Sequence, residues 1–193
     1  MPSVPAGLAS DLHRYLQDAR DAVLRAVDGV PEYDARRPLT PTGTNLLGLV
    51  KHLAGVEIGY LSEAVGRPAP TLPWDADGSV REGGDMWLRA DETRDWVLGL
   101  YREAWALSDA SLAALPLDHP AEPSWWPEAT RRTTFGHLVV RVTAETAQHA
   151  GHLEILREQL DGQAGHDHDM VDDAGWDRFL ATIQAAADAH RGV

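Results

Sequence analysis

The chain has 193 residues, 44% of them hydrophobic and 24% charged, which suits one folded domain with a sizeable core. Its 30 acidic and 17 basic side chains leave a formal charge of −13, a surface that repels phosphate and so argues against nucleic-acid or anionic-membrane partners. There is no cysteine, which excludes disulfides, thiolate metal ligands and a cysteine nucleophile.

At the N-terminus, MPSVPAGLAS has neither the basic nor the apolar stretch of a secretory signal, and no apolar run reaches the ~18 residues of a membrane span. A cytoplasmic protein is expected. The first helix is predicted from Leu8 to Val27, where Leu8, Leu12, Tyr15, Leu16, Ala19, Val23 and Val27 recur at helical spacing. Asp28-Gly29-Val30-Pro31 stops it, and a loop dense in turn formers follows. A second helix is predicted from about Asn45 to Val65, capped by Thr44 or Asn45 and closed by Gly66-Arg67-Pro68. The linker from Arg67 to about Arg89 contains Trp74 and Trp87, so it should pack over the bundle.

The third helix is predicted from Asp91 to Leu115, with Trp96, Leu100, Ala104 (or Trp105) and Leu107 facing inward. An irregular stretch carrying Trp125-Trp126 leads to the fourth helix, from Thr133 or Thr134 to Leu160. After an acidic tail, a short helix over about Asp177–Ala189 ends the chain. No period-two alternation indicates a strand. The fold class expected is therefore all-α: a four-helix bundle with long crossover connections.

The fourth helix carries the first chemical signal. Glu145, His149 and His152 fall at i, i+4 and i+7, which at ~100° per residue lie within about 60° of one another. A carboxylate and an imidazole one turn apart can reach a common point above the helix, as metal sites require. Leu138, Val142 and Leu156 continue the stripe, and a metal would satisfy polar groups that are otherwise costly there. The competing reading is an ordinary ion pair between Glu145 and Arg141, with two histidines bonded to backbone carbonyls.

The second helix strengthens the metal reading. Gly48, His52, Gly55 and Gly59 share one face, and each helical glycine costs about 1 kcal/mol relative to alanine. Such clustering leaves space around His52 for a ligand or a close-packed neighbour. His52, Glu145 and His149 would then form a three-ligand site with an open coordination position, as in catalytic centres. Zn²⁺ is the first expectation, with Ni²⁺, Fe²⁺ and Mn²⁺ as alternatives. His152 is expected beside the metal as a base or hydrogen-bonding group rather than as a fourth ligand. His166 and His168 read as part of a solvated acidic loop, and His13, His119 and His190 have no constellation around them. His137 is rotated away by roughly 80°. Trp125-Trp126 are candidates for lining a pocket.

Together, TPTGTNLLGLVKHLAGVE and TAETAQHAGHLEILREQLDG resemble the DinB-like metal-binding superfamily, in particular its branch related to mycothiol-dependent maleylpyruvate isomerase. The resemblance spans the first helix to Gly162. It implies a four-helix bundle with a metal at one end. The family's helix-two histidine falls on His52 and its last histidine on His149. The position of Glu145 is histidine in many members and glutamate in the isomerase branch, while His152 stands where many relatives carry glutamine. The isomerase-like proteins have a further C-terminal domain that this chain is too short to hold in full; residues 1–165 are expected as the bundle and 166–193 as a loop and short helix packed on it.

What the resemblance implies is a metal-dependent enzyme that transfers a low-molecular-weight thiol to a small electrophile, or isomerises or hydrolyses one, with His152 moving a proton. The alternative is a non-catalytic metal-binding stress-response protein, a homodimeric bundle in which the metal staples the second and fourth helices together.

Overall fold

The computed structural model of the protein describes residues 6–163 and 172–191. Its helices are α1 (Ala6–Val27), α2 (Glu32–Arg36), α3 (Leu46–Leu61), α4 (Pro73–Ala76), α5 (Arg94–Ala114), α6 (Phe135–Asp161) and α7 (Asp173–Asp188). The long helices α1, α3, α5 and α6 form the expected all-α bundle with long connections. α6 packs on both α1 and α3, while α5 lies along α3 and reaches α1. Among the described residues no helix is long and apolar enough to cross a membrane. An antiparallel pair of two-residue strands, β1 (Pro120–Ala121) and β2 (Thr133–Thr134), ties together the α5–α6 connection. Strands this short leave no alternation to detect in sequence.

Side-chain caps set where the helices begin. Asn45 accepts from the Gly48 N–H at 2.8 Å and Thr134 from the His137 N–H at 3.3 Å. α5 starts at Arg94 rather than Asp91, because Thr93 is the residue that caps it, accepting from the Trp96 N–H at 3.1 Å. α3 ends at Leu61 and tightens into a 3₁₀ turn over Glu63–Val65, so the predicted second helix is two pieces. Gly162, at φ 78°, supplies the left-handed residue that closes α6.

The core follows the predicted periodicity with two shifts. On α1, Leu16, Ala19, Val23 and Val27 are buried, but Tyr15 is 56% exposed beneath the Arg14 guanidinium. The polar Arg20 is fully buried in its place, joined to the equally buried Glu57 of α3. On α5 the buried stripe is Val97, Tyr101, Ala104, Ser108 and Ser111, one position round from the expected Trp96, Leu100 and Leu107. The large side chains of Trp96 and Trp105 cover the core from its margin.

The α3–α5 connection is packed on the bundle, with Leu72, Trp74 and Leu88 buried. Three residues within two turns of His52 tie it down. Lys51, fully buried, donates from Nζ to the carbonyls of Gly84 (2.8 Å) and Trp87 (3.0 Å) and to Glu92 Oε2 (2.7 Å). Asn45 donates to the Met86 carbonyl at 3.0 Å. Gly48 lets that carbonyl lie against α3, since a Cβ there would collide with it. These bonds hold the linker against α3, and with it Asp85. Beyond Gly162, α7 is exposed along most of its length, including Phe179, Leu180 and Ile183. His166 and His168 lie outside the described residues.

Candidate metal centre

His52 comes from the middle of α3, and Glu145 and His149 from successive turns of α6. Because α3 and α6 pack side by side, the three side chains meet. Glu145 Oε1 lies 3.6 Å from His52 Nε2 and 3.3 Å from His149 Nε2. The two imidazole rings stand edge to face with centroids 5.2 Å apart. One ligand atom from each of the three residues lies within 4.8 Å of the other two. Ligands at about 2.0–2.2 Å from a tetrahedral ion are separated by about 3.3–3.6 Å. The spacing and the donor set, two nitrogens and one carboxylate, therefore fit a divalent cation.

The ring nitrogens turned away from this point are also occupied. His52 Nδ1 is 2.7 Å from Asp85 Oδ2, and His149 Nδ1 is 3.3 Å from His152 Nδ1. Both imidazoles are thus oriented with Nε2 inward, as a carboxylate–histidine–metal arrangement requires. Burial pulls the His52 pKa down, but the bond to Asp85 and the nearby carboxylate charges outweigh it and raise the pKa above the ordinary histidine value. His149 is shifted the other way, lowered by burial and by the charge of His52. Asp85, although burial opposes it, is held below the usual carboxylate value by His52.

The anticipated competitor for Glu145 is elsewhere. Arg141 lies over the rings of Tyr60 and Trp126 and forms no ion pair with Glu145. His152 is exposed and, among the described residues, reaches only His149, with which it shares a hydrogen bond behind the trio. His13, expected to have no constellation, bonds to Asp109 at 3.1 Å at the edge of the Arg20–Glu57 network. The polar stripe of α6 runs along the border of its buried face, whose centre is Leu138, Val142, Thr146, Ala150 and Leu153.

Two of the three, His52 and Glu145, line a cavity of about 720 Å³ together with Tyr60, Trp74, Asp85 and Trp125, among others. The glycine stripe of α3 shapes this cavity's floor. A Cβ at Gly55 would press on Trp74 at 3.0 Å and one at Gly59 on Trp125 at 3.2 Å. The missing side chains thus admit tryptophans, and Gly55, Gly59 and both rings line the open space together.

Asp85 is the residue that sequence reasoning missed. It sits in a Pro- and Gly-rich linker where no periodicity relates it to His52, and GGDMW resembles any turn. Asp85→Asn is expected to weaken metal binding about 10–100-fold, the range for losing an outer-shell partner. Competition with a chromophoric chelator measures this directly, and an unchanged affinity would remove Asp85 from the centre.

Comparison with known proteins bears on the same region. Residues 11–162 match the sequence profile of the family described as mycothiol-S-transferase. No curated protein matches the sequence. Among solved structures, a conserved protein of Enterococcus faecalis superposes with a TM-score of 0.62 at 13% identity, over 81% of this chain and 98% of that one. At that identity the likeness is one of fold.

Proposed function

The chain belongs to the mycothiol-S-transferase family, a DinB-like family, and from that premise we propose that it is a metal-dependent transferase of a low-molecular-weight thiol to a small electrophile. Mycothiol is the first candidate thiol. The observation that carries this reading is the convergence of two Nε2 atoms and a carboxylate oxygen beside a cavity, lined by His52 and Glu145, that is large enough for a substrate.

His52, Glu145 and His149 would hold the ion, with Zn²⁺ the first choice for this donor set. A divalent ion bound there would supply Lewis acidity, lowering the pKa of a thiol toward neutrality. Three protein ligands would leave the ion accessible to that thiol, and with no cysteine in the sequence no side-chain thiol would compete for it. Asp85 fixes the tautomer and angle of His52, and His152 does the same for His149. His152, being exposed, is also our candidate for passing the thiol's proton to solvent. A cytoplasmic setting, where small thiols are kept reduced, suits this chemistry.

The test is turnover of a model electrophile with mycothiol, bacillithiol, glutathione and coenzyme A in turn. Turnover is expected with at least one thiol, lost on chelation and restored by Zn²⁺. Stoichiometric metal without metal-dependent turnover on any thiol would favour a metal-binding protein without catalysis.

A further inference from the structure

Arg141 precedes Glu145 by one helical turn, a spacing at which the two ordinarily pair. They do not pair here, and no carboxylate among the described residues takes the guanidinium up. It is held instead over the ring faces of Tyr60 at 5.2 Å and Trp126 at 5.6 Å. Those rings are fixed in turn, because Trp126 Nε1 donates to Tyr60 Oη at 3.0 Å and Trp125 Nε1 does so at 3.3 Å. Contact with π faces positions a guanidinium without using its N–H donors. In a chain with 30 acidic side chains, a positioned cation without a carboxylate is a place prepared for an anion from outside.

The surroundings say what kind of anion. Arg141 and Glu145 are the residues shared by the metal cavity and a second recess of about 780 Å³. This recess lies between the start of α1 and the first half of α6, and it is lined by the apolar Leu8, Leu12, Leu117, Val140 and Ala144 together with polar residues that include Asp118. Val140 and Leu8 are 53% and 43% exposed, so the apolar surface is open to a ligand.

We propose that Arg141 binds the carboxylate of a small, otherwise apolar molecule whose carbon body lies in the recess between α1 and α6. The guanidinium's planar fork matches a carboxylate's two oxygens, and the recess rewards each methylene added to the chain. On the transferase reading above, this molecule is the electrophile, held with its charged end one helical turn from the metal ligands. The thiol would approach from the other cavity, so the two substrates meet at Glu145.

The probes are straight-chain monocarboxylates from acetate to hexanoate, with hexanamide as the neutral control. Binding is followed by tryptophan fluorescence and calorimetry on metal-free protein, where no ion can capture the carboxylate. Hexanoate is expected to bind the wild type at least tenfold more tightly than acetate or hexanamide. Arg141→Gln should abolish the preference over hexanamide, and Arg141→Lys should keep part of it. Circular dichroism confirms that both variants are folded. Absence of hexanoate binding, equal binding of hexanamide, or an undiminished preference in Arg141→Gln would overturn the site. The readout is independent of turnover: Arg141-dependent binding without thiol transfer would sink only the transferase reading, and transfer without Arg141-dependent binding would sink only this site.

Discussion

His52→Ala protein is expected to purify with almost none of the metal carried by the wild type, and His149→Ala to behave alike. Each change removes one of three ligands, and it leaves a carboxylate and one imidazole that cannot hold an ion against buffer and water. The loss should exceed the roughly 100-fold upper range seen for outer-shell partners. Neither variant should unfold, since both side chains lie at the border of the core and alanine is the best helix former. Elemental analysis after dialysis measures content, and circular dichroism controls for folding. Metal retained at wild-type stoichiometry in both variants would disprove the centre. Because the three side chains come from α3 and α6, a bound ion would also link two helices of the bundle. At a thousandfold excess over Kd it would add about 4 kcal/mol of stability. Chelation should therefore lower the wild-type Tm while leaving that of His52→Ala where it was.

The two helices that carry this centre were legible because helical spacing does most of the geometric work. Glu145 and His149 sit one turn apart on any helix, and the Gly-rich face around His52 marked a place where something approaches closely. What occupies that face was beyond sequence. Trp74 and Trp125 arrive from connections whose path no local pattern specifies, and Asp85 reaches His52 from a linker whose carbonyls Lys51 and Asn45 bind. On α5, Ala104 is buried as expected, whereas the buried positions fall one residue past Trp96, Leu100 and Leu107. Tyr101 and the small Ala104, Ser108 and Ser111 fill the centre, while Trp96 and Trp105 close the margin. Arg141 shows the same limit at an ion pair. Spacing offered it Glu145, but the aromatic rings of the α5–α6 connection and α3 took the guanidinium.

The buried polar pair of Arg20 and Glu57 ran against the expected apolar face of α1, and it sets the second large effect. Both side chains are fully buried, with Arg20 Nε donating to Glu57 Oε1 at 3.0 Å and Nη2 to Oε2 at 2.6 Å. Nη1 donates to Asp109 of α5 at 2.9 Å and to Gln17 at 3.2 Å. Burial pulls the Arg20 pKa down, yet the Glu57 bonds and charge, helped by Asp109, outweigh it and hold the guanidinium charged. Glu57→Ala would leave that charge buried with only the half-exposed Asp109 to compensate, a loss of about 3–5 kcal/mol. For a chain of this length that corresponds to a fall in Tm of roughly 6–20 °C. The double variant Arg20→Met/Glu57→Met removes both charges and refills the space, so it should recover most of the loss or exceed the wild type. A Tm for Glu57→Ala within 2 °C of wild type would show that the pair contributes little. Recovery in the double variant would separate two roles. If it melts high yet binds metal more weakly, the pair is retained for register, because α1 touches α3 lightly. The directional bonds between Arg20 and Glu57 would then fix how α1 sits against α3, and through α6, which packs on both, where Glu145 and His149 meet His52.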